Sequence, residues 1–202
     1  MPQHFRLDRA AAALYLGLLM GGCSGGAPVL VPSAATTVDP EQVSEWVRQT
    51  TPAGHQLLRF QWQYRDGRGA AVGGRGSARI AGPDSLRFDV AGPFGAGAGA
   101  AVVVGDAAVW TEPPDIIRRM VPSYPLLWAL FAVARDPAPG ADLRGSTDGS
   151  TVAWQYIRGA DTVAYRRTED SPGRFLAEVR QRGELVGTVE TTLDGAGHPA
   201  RA

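Results

Sequence analysis

The stretch Leu-Arg-Phe-Gln-Trp-Gln-Tyr-Arg at residues 58–65 alternates apolar and polar side chains with a period of two. Successive side chains of a β-strand point to opposite faces of its sheet, so this stretch predicts a strand with one apolar face. The same alternation returns at 86–90 and 152–156, and turn sequences such as Asp148-Gly149 separate the runs. The sequence therefore predicts a mainly β, antiparallel fold of about nine or ten strands linked by tight turns.

Two helices are predicted beside these strands. Asp39 is a typical N-cap, Pro40 suits the first helical position, and apolar residues three and four positions apart form one face over 43–47. A strongly apolar segment at 126–133 interrupts the strand pattern, and its length and leucine content favour a helix. We expect an α+β fold in which a single curved antiparallel sheet forms an incomplete barrel, closed by the N-terminal helix and by a central apolar helical lid.

The N-terminus has the organisation of an export signal. Arg6 and Arg9 precede an uncharged apolar stretch at 10–20, which is shorter than the roughly 20 apolar residues that a membrane-spanning helix needs. Met20-Gly21-Gly22-Cys23 resembles the lipobox of bacterial lipoproteins, and Cys23 is the single cysteine of the chain. We expect cleavage before Cys23 and lipid attachment to its thiol. The alternative is an ordinary signal peptide followed by an incidental buried cysteine.

These features divide the chain into three parts. Residues 1–22 are predicted to be the signal peptide, 23–38 the lipidated cysteine with a flexible tether that lets the domain stand off the membrane, and 39–202 the folded domain. In the sorting rule of some Gram-negative lipoproteins, Asp after the cysteine retains the protein at the inner membrane. Ser24 therefore predicts a cell-envelope protein anchored at the outer membrane and facing the periplasm.

Composition and motifs argue against several functions. The formal net charge is zero, so the chain has no basic surface typical of nucleic-acid binding. Of three histidines, His4 lies in the signal peptide, and His55 and His198 stand apart from any catalytic motif. The glycine-rich stretch 73–76 has no helix after it, which favours a bend in a strand over a phosphate loop. We expect no enzyme activity, no metal site and no cofactor.

The apolar strand faces and the apolar helix are the candidate binding site. In one interpretation these side chains fill an ordinary core, and in the other they line a cavity for a ligand beneath the helical lid. The candidate cavity residues are Phe60, Trp62, Tyr64, Phe88, Val90, Trp110, Leu127, Trp128, Phe131, Trp154 and Tyr156.

The order of these elements resembles the lipoprotein-localisation family of LolA and LolB. The resemblance rests on the lipobox, the N-terminal helix, the opening Leu-Leu-Arg-Phe-Gln-Trp at 57–62, the stretch Gly-Pro-Asp-Ser-Leu-Arg-Phe-Asp-Val-Ala-Gly-Pro-Phe-Gly at 82–95, and the apolar insertion. It covers roughly residues 39–195. Members fold as an incomplete antiparallel barrel closed by helices around an apolar cavity for acyl chains. The resemblance implies a membrane-anchored protein that binds lipid or lipoprotein acyl chains and helps their transfer, with a periplasmic carrier protein as a partner.

One loop resembles LolB more closely. In LolB a Gly-Pro-Leu-Gly loop displays a leucine that helps pass lipoproteins into the outer membrane, and Gly92-Pro93-Phe94-Gly95 occupies the corresponding place here. Phe94 is therefore a candidate membrane contact, unless its ring folds back onto the core. The alternative function for the whole chain is a non-catalytic structural or adaptor lipoprotein of the envelope that binds a protein partner.

Overall fold

The molecule is built from two antiparallel sheets. The computed structural model describes residues 30–31, 34–65, 71–92, 97–114 and 123–202. Within them, strands form one sheet of seven and one of five, and neither closes into a barrel. The fold is mainly β, which confirms the prediction from the alternating pattern.

The five-stranded sheet is a meander of consecutive hairpins. Its apolar face carries Ala78 opposite Phe88, and Ile80 opposite Leu86, and all four side chains are buried. Arg79 and Arg87 are paired on the opposite, solvent-facing side. The strands, in their order across the sheet, are β2 (Gln56–Arg65), β3 (Ala71–Ala81), β4 (Ser85–Ala91), β5 (Gly99–Val104) and β6 (Ala107–Glu112).

The seven-stranded sheet is also a meander, with one short strand from the N-terminal segment added at its edge. Trp154 pairs with Tyr165, and Ala177 pairs with Tyr165 from the other side, so one face is a continuous buried surface. The strands, in their order across the sheet, are β1 (Thr36–Thr37), β7 (Asp142–Asp148), β8 (Thr151–Arg158), β9 (Asp161–Thr168), β10 (Gly173–Gln181), β11 (Glu184–Leu193) and β12 (Pro199–Arg201).

Helix α1 (Pro40–Thr50) covers part of the seven-stranded sheet. The Asp39 side chain accepts a hydrogen bond from the backbone N–H of Glu41, at 2.8 Å, and so caps the helix. Val43, Trp46 and Val47 form its buried face. Gly145 on β7 leaves room for the indole, because a Cβ there would lie 2.7 Å from the Trp46 ring.

The apolar helix is shorter than the sequence predicts. Helix α2 spans Tyr124–Ala129, whereas the prediction extended it to Val133. Ala132 takes a left-handed conformation with φ of 58°, and the N–H groups of Ala132 and Val133 bond to the carbonyls of Ala129 and Trp128. This pattern closes a helix in a Schellman turn. The turn normally uses glycine, so composition alone does not reveal it.

The prediction of a single curved sheet is wrong. Strand β6 ends the five-stranded sheet, and β7 pairs with β1 and β8 in the other. Between them the chain passes through α2 and a segment rich in proline, which cannot donate a backbone hydrogen bond to a neighbouring strand. Alternation predicts which side of a strand is apolar, but not whether two successive strands pair.

Part of the segment predicted to be a flexible tether is packed. Leu30 and Val31 are buried against the seven-stranded sheet. Strand β1 pairs with β7, with Thr36 opposite Gly145 and Thr37 opposite Arg144. The assignment of 39–202 to one domain stays a prediction, but ordered packing begins upstream of residue 39.

Candidate functional site

Helix α2 lies between the two sheets and contributes to the core of each. Leu126 and Ala129 belong to the buried cluster of the seven-stranded sheet. Leu127 and Trp128 belong to the cluster of the five-stranded sheet, together with Phe131 from the turn after the helix. One short apolar segment therefore fills the space between two apolar sheet faces.

A few polar contacts hold this segment in place. The Trp128 indole N–H donates to the carbonyl of Gly105 at 3.1 Å, and the Thr191 hydroxyl donates to the carbonyl of Ala129 at 2.8 Å. The backbone N–H of Ala108 donates to the Tyr124 hydroxyl at 2.8 Å. The segment is thus tied to the β5–β6 hairpin on one side and to β11 on the other.

Arg135 supports the same segment from outside. Its guanidinium lies over the Trp128 indole, with 4.9 Å between the guanidinium carbon and the ring centre. The guanidinium also donates to the carbonyl of Pro83 at 3.2 Å and approaches Asp106 at 3.4 Å. A cation over an indole face is attracted by the ring's electrons, so Arg135 helps to hold Trp128 in place.

A row of aromatic rings fills the seven-stranded half of the interior. Ring centres are 5.9 Å apart between Trp46 and Trp154, 5.4 Å between Trp154 and Tyr165, and 5.7 Å between Tyr165 and Phe175. Such spacings are typical of favourable aromatic packing. The row joins α1 to the centre of the sheet.

The polar atoms of these rings form hydrogen bonds with one another and with the backbone of Arg135. The Tyr165 hydroxyl accepts from its N–H at 3.2 Å, and the Tyr156 hydroxyl donates to its carbonyl at 2.9 Å. The Trp154 indole N–H donates to the Tyr156 hydroxyl at 3.0 Å. Burial raises the pKa of both tyrosines well above the usual value, because a phenolate would lose its hydration. Both remain neutral hydroxyls at physiological pH.

Glycines on β3 make room for the aromatic side chains of β2. A Cβ at Gly76 would lie 2.4 Å from the Phe60 ring, and one at Gly74 would lie 2.8 Å from the Trp62 ring. The glycine-rich stretch 73–76 is therefore strand, not a phosphate loop, and its missing side chains are filled by rings. An aromatic run followed by a glycine run is visible in the sequence, but which glycine faces which ring depends on the register between β2 and β3.

Most of the predicted cavity residues face the interior, but they divide between the two halves. Trp154 and Tyr156 pack in the seven-stranded half. The others in the interior pack with the five-stranded sheet, some buried and some partly buried: Phe60, Trp62, Phe88, Val90, Leu127, Trp128 and Phe131.

Trp110 is not an interior residue, and its prediction as a cavity residue is wrong. Its side chain is 45% exposed and lies on the outer face of β6, with Arg87 over the ring at 5.9 Å. The register shift between Val102 and Val103 in the β5–β6 pair interrupts the alternation of side chains along β6, so the direction of Trp110 does not follow from its position in the sequence.

Three predicted site residues cannot be placed. Tyr64 lies on β2, but its side chain is outside the part of the chain that is described. Cys23 and Phe94 also lie outside the described residues, so the lipidation site and the membrane-contact loop stay predictions.

One interior donor has no hydrogen-bond partner in the described part of the chain. The indole nitrogen of Trp62 is buried and makes no hydrogen bond within the described residues. An unpaired buried donor costs about 1–3 kcal/mol, so a carbonyl brought to this position would relieve that cost. Sequence reasoning named Trp62 for its apolar surface and missed its polar atom.

A groove of about 520 Å³ lies on the outer face of the five-stranded sheet. Its floor is made of small side chains, among them Ser77, Ala91 and Ala100, and Arg59, Arg75 and Trp110 stand around it. Sequence reasoning did not predict this surface, because small residues on a solvent-facing side give no apolar signal.

Among the described residues, no group of three or more His, Cys, Asp or Glu side chains is placed to hold a metal ion. None of the helices in the same ranges has the length and apolarity needed to cross a bilayer. Comparison of the chain with protein-family models, curated proteins and solved structures finds no match.

Proposed function

We propose that this protein is a lipoprotein of the bacterial cell envelope, anchored through Cys23, that binds acyl chains of lipids or lipoproteins between its two sheets. It acts at the outer membrane, facing the periplasm, and helps the transfer or insertion of its ligand without catalysis or a cofactor. The two sheets work as an incomplete barrel closed by α1 and by α2 as its lid. The observation that carries the proposal is α2 itself, an apolar segment that fills both halves of the interior.

The free energy lost by exposing α2 is similar to the free energy gained by burying an acyl chain in its place. Moving the four large side chains of the segment (Leu126, Leu127, Trp128 and Phe131) into water costs about 6–12 kcal/mol at roughly 1.5–3 kcal/mol each. A saturated chain of sixteen carbons gains about 0.8 kcal/mol for each buried CH₂, or about 11 kcal/mol in all. The two terms are similar in size, which suits a carrier that must both load and release.

An unpaired hydrogen-bond donor in the interior supports a ligand that carries an ester or amide group. Acyl chains of lipids and lipoproteins carry an ester or amide carbonyl, which accepts hydrogen bonds. The unpaired Trp62 indole N–H in the five-stranded half is a suitable donor for that carbonyl. The other residues of this half are apolar except for the Trp128 indole N–H and the Tyr124 hydroxyl, which already have hydrogen-bond partners.

The test is a reversible lock on α2. The Thr191 hydroxyl lies 2.8 Å from the carbonyl oxygen of Ala129, so the test combines Ala129→Cys with Thr191→Cys, in a Cys23→Ala background, at the contact between α2 and β11. The protein is exported to a bacterial periplasm, purified without detergent and analysed by native mass spectrometry with added palmitoyl phospholipid. We expect ligand adducts near equal stoichiometry when the pair is reduced, and at least a tenfold lower occupancy when it is oxidised.

The single-cysteine variants are the controls, because they alter the same side chains without a cross-link. They should bind like the reduced pair. Equal binding by the oxidised and reduced pairs, or no adduct on any variant, would overturn the acyl-chain proposal.

A second candidate is an adaptor that binds a protein partner. The observation in its favour is the exposed apolar surface of β6, where Val109 is 61% and Trp110 is 45% exposed beside the outer groove. If Trp110→Ala abolishes capture of an envelope protein while the α2 lock has no effect on any ligand, the adaptor function replaces the carrier function.

A further inference from the structure

The N-terminal segment reaches the folded domain at one particular surface. Leu30 and Val31 are 4% and 3% exposed and pack with Ala153, Ala164 and Leu176. These three small and apolar residues alternate along their strands with the inward-facing rings of the seven-stranded sheet. They therefore belong to its outer face, on the side away from α2 and the five-stranded sheet.

Polar contacts fix this attachment. The Arg166 guanidinium on β9 donates to the carbonyl of Leu30, with 2.8 Å between Nε and the oxygen. A few residues later, β1 adds to the edge of the same sheet beside β7, and the Val38 N–H donates to the carbonyl of Leu143 at 3.2 Å. The chain is thus held to the seven-stranded sheet at two successive places.

The distance available to a membrane anchor is short. Leu30 follows Cys23 by seven residues, and a fully extended chain covers at most about 3.6 Å per residue, or about 25 Å in total. A compact domain of roughly 165 residues has a radius of gyration of about 15 Å, which corresponds to a diameter of about 40 Å. If the outer face of the seven-stranded sheet pointed away from the bilayer, Leu30 would be farther from it than the chain can reach.

We propose that the outer face of the seven-stranded sheet faces the phospholipid bilayer, held there by the docked segment at Leu30 and Val31. The inference rests on the anchor at Cys23 that is part of the proposed function. It replaces the prediction of a domain that stands off the membrane on a flexible tether. The outer groove and Trp110, on the opposite side of the molecule, then face the periplasm.

Chain length sets this orientation, and surface charge contributes little. On this outer face Arg174 pairs with Glu190 at 3.3 Å, and Arg180 pairs with Glu178 at 2.7 Å. Paired opposite charges give little net attraction to anionic lipids. The orientation should therefore be the same on neutral phosphatidylcholine and in moderate salt.

Two arginines allow the orientation to be measured. Arg174 lies on the outer face of the seven-stranded sheet; its side chain is 58% exposed and forms an ion pair with Glu190 at 3.3 Å. Arg87 lies on the outer face of the five-stranded sheet; its side chain is 49% exposed and forms an ion pair with Asp89 at 3.0 Å. The experiment uses the chain from Cys23 onward, which contains every described residue. The Cys23 thiol is coupled to a maleimide phospholipid in phosphatidylcholine vesicles. Phenylglyoxal then modifies accessible arginines, and peptide mass spectrometry measures the rate at each arginine.

We expect coupling to slow the modification of Arg174 at least threefold relative to the uncoupled protein, while Arg87 keeps its rate. In the Leu30→Ser/Val31→Ser variant the segment is freed as far as β1, and Arg174 should regain most of its reactivity. Leu57→Ser/Val104→Ser, which alters two exposed apolar residues on the outer face of the five-stranded sheet, should behave like the unmodified chain.

Equal protection of the two arginines, or protection of Arg87 alone, would overturn the proposed orientation. Circular dichroism of each variant verifies that the sheets remain folded. Since the anchor in this experiment is synthetic, its outcome does not depend on acyl-chain binding by the interior or on lipidation in the cell. Failure of the lock on α2 therefore leaves this result standing, and the reverse also holds.

Discussion

At the scale of single residues, the two buried tyrosines make stability depend on alkaline pH. Burial holds the pKa of Tyr156 and Tyr165 above the usual value, whereas tyrosines of the unfolded chain ionise near pH 10. The folded state thus keeps protons that the unfolded state loses, so the contribution is intact below about pH 9 and decreases above pH 10. The decrease should approach about 1.4 kcal/mol per pH unit for each tyrosine.

Urea unfolding between pH 7 and pH 11 measures this effect. The double variant Tyr156→Phe/Tyr165→Phe should be less stable at pH 7, because it leaves the Arg135 backbone groups without their side-chain partners, at about 1–3 kcal/mol each. Its stability should also fall less steeply above pH 10. Parallel curves for the variant and the natural chain would contradict the assignment.

The sequence predicted the direction of some side chains but not the packing role of others. The inward direction of Phe60, Phe88 and Trp154 follows from strict alternation and is confirmed. The role of Gly76 could not be predicted, since a glycine in a strand signals a missing side chain without saying which ring of a neighbouring strand fills the space. That information depends on the register between β2 and β3, which pairs Phe60 with Gly76.

At the scale of elements, α2 offers a matched pair of leucines. Leu127 is 6% exposed within the five-stranded cluster, and Leu130, in the turn after the helix, is 41% exposed. Leu127→Ala should lower the free energy of unfolding by about 2–5 kcal/mol, because it removes buried apolar surface and leaves a cavity. Leu130→Ala should change it by less than about 0.5 kcal/mol.

Denaturant titration of both variants, followed by tryptophan fluorescence, makes the comparison. A similar loss for the two substitutions would mean that the segment does not pack between the sheets as described. A small loss at both positions would have the same meaning.

The elements differ in how far the sequence reveals them. Asp39, Pro40 and the apolar face of α1 are local signals, and the structure contains the helix where they occur. The hairpin turn at Asp148-Gly149 is also a local signal, and it joins β7 to β8 in the structure. The end of α2 depends on a left-handed alanine at 132, and β12 is a strand of only three residues, so neither leaves a pattern in composition or periodicity.

At the scale of the whole molecule, the arrangement of the strands was beyond the sequence. Each run of alternation defines an apolar side, but two separate sheets and one curved sheet present the same alternation. Two features separate the sheets: the proline-rich segment between β6 and β7, and the packing of α2 against both apolar faces. The docking of Leu30 and Val31 was equally hidden, because a segment of small residues and prolines has the composition of a linker.

The position of β6 at the end of its sheet also bears on solubility. An edge strand leaves backbone groups unpaired, and natural proteins usually protect such edges with charge. Among the residues of β6 only Glu112 is charged, while Val109 and Trp110 are exposed. We expect concentration-dependent self-association of the purified protein through this edge, measurable by sedimentation velocity, and its suppression by Val109→Lys but not by Leu185→Lys. Handling at high concentration would then be limited by one strand, and a single substitution would extend its range.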